Sequence, residues 1–282
     1  IASLMAALGS PQETARAEAA ERLSQVEPAE MRAAALVLVE ACGDESEAVR
    51  EAAASALEEL GVPSPEQLEG LIGLLTGDKA DVAYWAATLI GRLGPDAAAA
   101  IMTTDTVPKE MAVELALSGG PVRIGVIAKG SGMIAPNMAT MLCFFTTDAA
   151  VTPEVLSGLL KAATKVSFNC MCVDNDMSTN DTVLVLANGQ SGVHLTPGTE
   201  NYGAFEEAFT RMCVAIAQAL VRDGEGATKF VEIAVDGAPS DEAAFTIAKS
   251  IAQSQLCKTA FFGQDANWGR IACAAGYAGV PF

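Results

Sequence analysis

The chain has little of several residue types on which common functions depend. Among 282 residues it has one histidine, His194, which lies in the polar stretch SGVHLTPG. This setting predicts an exposed loop, so we expect no serine-histidine-aspartate mechanism. Positive charge is also scarce, since 17 Lys and Arg against 35 Asp and Glu give a formal charge of −18. That balance argues against nucleic acid and against an anionic membrane surface as partners.

Long hydrophobic runs and cofactor motifs are missing as well. No run of about 18 apolar residues occurs, so the sequence predicts no membrane-spanning helix. Cys170 and Cys172 form a C-x-C without a second cysteine pair, which favours neighbouring strand positions over a zinc site. The polar stretch from 174 to 180 lacks the glycine and the glutamate of a calcium loop, and no phosphate-binding glycine motif is present. We therefore expect no metal and no nucleotide cofactor.

The cysteines carry information about the compartment. There are seven, an odd number, and they are scattered along the chain without the spacing of a disulfide framework. This pattern favours a reducing cytoplasm. We expect a cytoplasmic protein.

The first third of the chain, residues 1–96, is rich in alanine and acidic residues and has a helical pattern. Three segments align at a period of about 33 or 34 residues, with Leu23, Leu57 and Ile90 at corresponding positions. Gly61 and Gly94 follow the second and third segments and are expected to end their helices. The repeat predicts a HEAT-type all-α solenoid, whose role is either a protein-interaction surface or purely structural.

The most distinctive stretch is KGSGMIAPNMATML, which runs from Lys129 to Leu142. The apolar segments 121–128 and 141–145 on either side read as two inner strands, and the stretch connects them. Its glycines, Gly130 and Gly132, permit backbone angles closed to other residues, and its proline restricts the loop further. We expect a strained loop that leads to Thr140.

Strain beside a hydroxyl favours attack on the preceding peptide bond. Attack by the Thr140 hydroxyl on the carbonyl of Ala139 would divide the chain and make Thr140 a new N-terminus. Its α-amine, with an ordinary pKa of about 7.7 to 8.0, could then act as base for its own hydroxyl. Such a nucleophile needs no histidine.

Several segments together resemble a known family. The stretch from Lys129 to Leu142 is similar to the signature of the bifunctional ornithine acetyltransferase/N-acetylglutamate synthase family, which is cleaved before its threonine. Four further segments match in order: 100–110, 167–189, 221–230 and 258–271. The second of these is expected to form a strand, a polar loop and a strand.

The resemblance implies which residues bind substrate. The segment TTDT would supply a binding threonine, Thr103, with Thr104 as the neighbouring possibility. Lys129 would contact the substrate carboxylate, and Glu225 would face a substrate amine. Thr140 would be both nucleophile and substrate contact.

The resemblance also implies a reaction. Thr140 would take an acetyl group from N-acetylornithine as an ester and pass it to glutamate in arginine biosynthesis. No cofactor is implied, although acetyl-CoA is a possible acetyl donor. Cleaved α and β chains would assemble into oligomers, and the helical repeats could bind a protein partner.

The expected architecture therefore has two parts. Residues 1–96 would form the HEAT-like repeats. Residues 97–282 would form a partial α/β domain, a layered sandwich of mixed sheets and helices, with 97–139 as the end of the α chain and 140–282 as an incomplete β chain. We expect the family's oxyanion donors and its C-terminal segment to lack a counterpart in these residues. Two other functions stay open: a related N-terminal-nucleophile amidase or peptidase, and a noncatalytic interaction protein with a relic catalytic fragment.

Overall fold

The computed structural model describes residues 1–75, 79–94, 98–99, 101–134, 141–176, 178 and 181–281. The chain divides into two compact units, Ile1–Ile101 and Met102–Phe282. The predicted boundary was at residue 96. Both predicted site residues Ala139 and Thr140 lie outside the described residues.

The described part of the first unit is built from α-helices joined by short turns. They are α1 (Ala2–Leu8), α2 (Glu13–Ser24), α3 (Pro28–Met31), α4 (Ala35–Ala41), α5 (Glu47–Glu59), α6 (Leu68–Leu75) and α7 (Ala80–Leu93), with 3-10 turns at Arg32–Ala34 and Pro65–Gln67. Helix α2 packs on α5, and α6 packs on α7. The small side chains of the many alanines allow such helices to approach closely.

The repeated positions point into the core of this unit. Leu23 on α2 and Leu57 on α5 are fully buried, and Ile90 on α7 is nearly so. Gly61 and Gly94 follow α5 and α7 with φ angles of 72° and 57°. These left-handed angles suit glycine at a helix end, so the two predicted helix stops are confirmed.

The second unit combines a sheet with helices. Its strands are β1 (Lys109–Leu117), β2 (Gly120–Lys129), β3 (Leu142–Thr147) and β4 (Thr182–Ala187), and its helices are α8 (Pro153–Lys165), α9 (Glu200–Arg222), α10 (Asp241–Gln253), α11 (Gln255–Phe262) and α12 (Trp268–Gly276). The strand order is β1-β2-β3-β4. The first two pairings are antiparallel and β3 pairs with β4 in parallel. This confirms an α/β unit with a mixed sheet.

Local sequence signals explain the starts of three helices. Thr152 accepts a hydrogen bond from the Val155 amide at the start of α8, and Thr199 and Ser240 cap α9 and α10 in the same way. Such caps satisfy amides that have no partner within the helix. The three caps therefore fix where these helices begin.

The core of the second unit lies between the sheet and α9. Val122, Ile124 and Val126 alternate on one face of β2 and are buried there. Phe145 of β3 meets Phe209 of α9 with ring centroids 4.8 Å apart. Burial of side chains of this size contributes about 1.5 to 3 kcal/mol each, which fixes the helix on the sheet.

One local prediction was wrong. Cys170 ends a 3-10 turn, Phe168–Cys170, and Cys172 lies in irregular backbone, so the two cysteines do not occupy a strand. The Lys249 ammonium accounts for part of this arrangement, because it donates to the carbonyls of Asn169 and Met171 at 3.2 Å each. Those carbonyls are satisfied by a side chain instead of a neighbouring strand.

Across the described ranges, no helix is both long enough and apolar enough to span a membrane.

Candidate active site

The strand register defines the sheet edge at which the candidate site is built. Lys129 at the end of β2 pairs with Leu142 at the start of β3, and Leu142 pairs with Thr182 at the start of β4. The chain leaves the sheet after Lys129 and returns at Leu142. The predicted connection between two inner strands is therefore confirmed, with its ends beside the start of β4.

Three charged side chains form a buried network behind this edge. The Lys109 ammonium lies 2.6 Å from Asp105 Oδ1 and 2.5 Å from Asp223 Oδ2. The Lys109 side chain is 1% exposed, and the two aspartates are 0% and 6% exposed. Thr106 donates to Asp223 through both its amide and its hydroxyl. The network joins the TTDT segment to the end of α9.

The network keeps both carboxylates ionised. Burial opposes ionisation of Asp105, but the Gly130 amide and Lys109 outweigh it and hold its pKa below the ordinary value. Burial also opposes ionisation of Asp223, where Lys109 and Thr106 together lower the pKa. Opposite charge and donated hydrogen bonds both stabilise a carboxylate.

The glycine-rich loop is held against this network. The Gly130 amide donates to Asp105 Oδ1 at 2.7 Å, and the Ser131 hydroxyl donates to the Asp223 carbonyl at 2.5 Å. The Glu225 amide donates to the Ser131 carbonyl at 2.6 Å. The structure thus brings together the loop after β2, the TTDT segment and the Glu225 segment, which lie far apart in sequence.

The individual site residues differ in exposure. Thr103 and Glu225 are exposed, whereas Lys129 is 9% exposed. The Thr103 amide donates to Asp105 Oδ2 at 3.3 Å, and the Thr103 hydroxyl takes no part in that hydrogen bond. Within the described residues, Lys129 forms no ion pair with a carboxylate closer than 4.0 Å.

The described start of the loop contains two residues with positive φ angles. Gly130 has a φ of 150° and Met133 a φ of 56°. The second value is uncommon for a residue with a long side chain and stores strain beside the site. Gly132 serves a different purpose, because a Cβ there would lie 2.7 Å from Cδ of Glu225. Its missing side chain makes room for the Glu225 carboxylate.

The loop has a second anchor further along. The carboxylate of Asp174 accepts the amides of Met133 and Ile134 at 2.5 and 2.8 Å. The Val173 amide donates to the Ile134 carbonyl at 2.5 Å. The Asp174 carboxylate of the polar stretch therefore fixes the backbone of the loop.

Beyond the undescribed residues, the chain is anchored again at Met141. Its amide donates to Asp181 Oδ1 at 2.6 Å, and its carbonyl accepts the Thr182 amide at 3.0 Å. Asp181 is 6% exposed, and its Oδ2 has no hydrogen-bond partner among the described atoms. Burial raises the pKa of Asp181 to about 6, against the opposing effects of the Met141 amide and Lys129.

Sequence reasoning missed the groups that hold this arrangement. These groups belong to four buried charged residues, which leave no signal in a pattern of apolar and polar positions: Asp105, Lys109, Asp181 and Asp223. The only hint was position, since Asp105 and Asp223 stand within or beside segments already singled out.

Comparison with known proteins identifies the family. The sequence model of the ArgJ family matches residues 43–282. The chain belongs to the ArgJ family. The match begins inside the helical unit, so the expectation that the resemblance starts near residue 97 was too narrow.

Two curated relatives show how proteins of this family are named. The chain is 49% identical over 240 residues to the arginine biosynthesis bifunctional protein ArgJ of Symbiobacterium thermophilum, covering 82% of this chain and 60% of that protein. It is 53% identical over 194 residues to the glutamate N-acetyltransferase of Methanocaldococcus jannaschii, covering 68% and 48%. The chain spans about half the length of the curated relatives it matches.

A solved structure is also similar. It is the crystal structure of arginine biosynthesis bifunctional protein argJ from Bacillus halodurans, which is 46% identical in sequence. The comparison covers 48% of this chain and 64% of that chain, with a TM-score of 0.47.

Proposed function

We propose that the chain carries the nucleophile and part of the substrate site of an acetyltransferase that moves an acetyl group from N-acetylornithine to glutamate in arginine biosynthesis. The observation that carries the proposal is the convergence of three segments at one sheet edge. The Ser131 carbonyl accepts the Glu225 amide, and the Ser131 hydroxyl donates to the Asp223 carbonyl. The neighbouring Gly130 amide donates to Asp105. These contacts gather polar groups beside the loop that continues toward Thr140.

Cleavage before Thr140 prepares the nucleophile. The Thr140 hydroxyl attacks the Ala139 carbonyl, the peptide bond to the Thr140 nitrogen breaks, and that nitrogen takes the hydroxyl proton. Water then hydrolyses the resulting ester and leaves Thr140 with a free α-amine and a free hydroxyl. The left-handed Met133 lies in the same loop, where its φ of 56° is an unfavourable conformation for a side chain of this size. This step requires no external cofactor.

Acetyl transfer then proceeds in two steps. The α-amine of Thr140 takes the hydroxyl proton while the oxygen attacks the acetyl carbonyl of N-acetylornithine. The bond to ornithine nitrogen breaks, and that nitrogen receives the proton from the ammonium of Thr140. In the second step the glutamate amine attacks the ester carbon, the bond to the Thr140 oxygen breaks, and that oxygen regains a proton from the attacking nitrogen as N-acetylglutamate leaves. A covalent ester divides one difficult transfer into two easier ones.

The surrounding residues select amino-acid substrates. Lys129 is nearly buried and forms no ion pair with a described carboxylate, so its charge is available to a substrate carboxylate. Glu225 is exposed and its carboxylate lies against Gly132, where it can accept a substrate ammonium. The exposed hydroxyl of Thr103 supplies a further polar contact. N-acetylornithine and glutamate both carry the carboxylate that this arrangement requires.

Trapping of the acetyl-enzyme tests this function. The purified chain is incubated with N-acetylornithine labelled in the acetyl group, and the peptide that begins at Thr140 is examined by mass spectrometry. One acetyl group is expected on Thr140, and glutamate is expected to remove it as labelled N-acetylglutamate. Loss of the label to acetate alone, with no transfer to glutamate, would instead favour an N-terminal-nucleophile amidase.

A noncatalytic role is the remaining candidate. It rests on the helical repeats of residues 1–96, whose repeated positions Leu23, Leu57 and Ile90 are buried within the helical unit. In that case the chain would show neither cleavage nor an acetyl-threonine. The helical unit would then supply the function through a protein partner.

Other features extend the proposal. The burial of Leu23, Leu57 and Ile90 at equivalent positions supports a HEAT-like arrangement of the helical unit. We further propose a layered sandwich of several sheets for the complete catalytic domain, with oligomers of cleaved α and β chains. The proposed compartment is the cytoplasm, and acetyl-CoA is the proposed alternative acetyl donor, with no bound cofactor.

A further inference from the structure

A cavity of the second unit is lined by charged residues of opposite sign. It has a volume of about 290 Å³, close to the lower end of the range of about 300 to 1,000 Å³ that is typical of small-molecule sites. Its polar lining includes Glu225 and Lys258. Val231 and Phe261 form part of its apolar wall. A cavity of this size can take the side chain of an amino acid.

Lys258, on α11, is held in place at the wall of this cavity. Its ammonium donates to the Val173 carbonyl at 2.5 Å and to Cys172 Sγ at 3.4 Å. An ammonium has three N–H donors, so one of them remains for another acceptor. Lys258 is half-buried, and among the described residues it forms no ion pair with a carboxylate within 4.0 Å. Its charge is therefore fixed in position and available to an anion.

The two opposite charges are anchored to the same glycine-rich loop. Val173, whose carbonyl accepts the Lys258 ammonium, donates through its amide to the Ile134 carbonyl at 2.5 Å. The Glu225 amide donates to the Ser131 carbonyl at 2.6 Å. Both residues of the cavity are thus tied to the loop after β2, so the cavity belongs to the surroundings of the candidate active site.

The two proposed substrates differ in the charge of their side chains. N-acetylornithine ends in an ammonium, whereas glutamate ends in a carboxylate. Both share the α-carboxylate that Lys129 is proposed to bind, and in both the α-nitrogen is the atom that loses or gains the acetyl group. Their side chains are therefore directed to the same part of the site. Glu225 attracts the ammonium of ornithine but repels the carboxylate of glutamate, and a cation beside it would offset this repulsion.

We propose that Lys258 is a specificity-determining residue that binds the γ-carboxylate of glutamate in this cavity, while Glu225 binds the side-chain ammonium of N-acetylornithine. The inference rests on the proposed function and deepens it. The apolar wall packs against the methylene groups that both side chains share. Lys229 also lines the cavity, but it is exposed and its ammonium donates to the Phe262 carbonyl at 3.0 Å. Solvent weakens an exposed charge, so Lys258 supplies the main attraction.

The test compares glutamate with glutamine as acceptors, because glutamine has nearly the same shape and no side-chain charge. Thr140 is loaded with a labelled acetyl group from N-acetylornithine, and transfer of the label to each acceptor is followed. In the wild type, glutamate is expected to be the better acceptor. Lys258→Met removes the cation and keeps most of the side-chain length, so the ratio of kcat/KM for glutamate to that for glutamine is expected to fall about tenfold or more. A purely structural role would slow both acceptors alike and leave this ratio unmoved.

Two further variants control the comparison. Lys258→Arg keeps the charge, so the preference for glutamate is expected to stay within about threefold of wild type. Lys161→Met removes an exposed cation of α8 and serves as the matched control, with no expected change in the ratio. Loading of Thr140 from N-acetylornithine is expected to keep its KM in Lys258→Met, because the donor has no side-chain carboxylate.

A labelling measurement on the wild type replaces the variant if Lys258→Met does not fold. Saturating glutamate should protect Lys258 from an amine-reactive reagent, as read by mass spectrometry of its peptide, whereas the same concentration of glutamine should not. Equal labelling of Lys258 in the presence of the two amino acids would overturn the proposal.

The outcomes separate the two claims. An acetyl-enzyme whose preference for glutamate is the same in Lys258→Met as in wild type contradicts the role of Lys258 and leaves the proposed function standing. A chain that forms no acetyl-threonine contradicts both. A preference that is lost in Lys258→Met and kept in Lys258→Arg and Lys161→Met supports the assignment.

Discussion

The Lys109 ammonium lies 2.5 Å from the carboxylate of Asp223, and this contact joins the start of β1 to the end of α9. The same ammonium pairs with Asp105, whose Oδ1 also accepts the Gly130 amide. One buried cation thus holds together three segments of the candidate site. Its removal should loosen all of them.

Lys109→Met tests this network. The substitution keeps most of the side-chain volume and leaves two buried carboxylates without their cation, so we expect a loss of about 3 to 5 kcal/mol in the free energy of unfolding. Urea denaturation measures the loss. Lys161→Met on the exposed face of α8 is the matched control and should change stability by less than about 0.5 kcal/mol. Equal effects of the two substitutions would show that the buried network is not important for stability.

Gly132→Ala tests the position of Glu225. An added Cβ would lie 2.8 Å from either oxygen of the Glu225 carboxylate, so that side chain must move away. We expect a higher KM for the amino-acid substrate, by about tenfold, since one charge-assisted contact is worth about 1.5 to 3 kcal/mol. Steady-state kinetics measures this KM. Gly158→Ala on α8, where a Cβ meets open space, should leave KM unchanged. An unaltered KM in Gly132→Ala would argue against substrate binding by Glu225.

The pH dependence of stability tests the environment of Asp181. The pKa of Asp181, about 6, lies above the ordinary value of 3.8, and a Thr140→Ala chain, which is expected to stay uncut, allows its effect on unfolding to be measured. The folded state therefore binds more protons between these values, and stability is lost as pH rises from about 4 through 6. Relative to Asp181→Asn in the same background, the loss should amount to about 3 kcal/mol by pH 7. Unfolding by urea across pH 4 to 7 measures it, and a constant difference between the two chains would contradict the raised pKa.

The sequence predicts much of the frame of this molecule and little of what holds the site. The apolar segments 121–128 and 141–145 and the helix stops at Gly61 and Gly94 are local signals, and the structure follows them. The strand expected around Cys170 does not form, because Lys249 from α10 satisfies carbonyls that a strand partner would otherwise bond. Contacts of this kind depend on the whole fold and leave no periodic trace.

The candidate site can likewise be predicted only in part from the sequence. Motifs locate Lys129 and Glu225 because their segments resemble a family signature. They do not reveal that Asp223, two residues before Glu225, pairs with Lys109 across 114 positions of sequence. Nor do they reveal that Asp181 bonds the amide next to Thr140. Buried polar partners become visible only when the backbone has brought distant segments together.

Intact-mass measurement of the purified chain tests the central claim most directly. The account predicts two fragments, Ile1–Ala139 and Thr140–Phe282, with threonine as the new N-terminal residue. Thr140→Ala should abolish cleavage because it lacks the attacking hydroxyl, whereas Thr140→Ser should retain it. A wild-type chain that stays at its full mass, or a Thr140→Ala chain that is cut at the same bond, would contradict the assignment of Thr140 as the nucleophile.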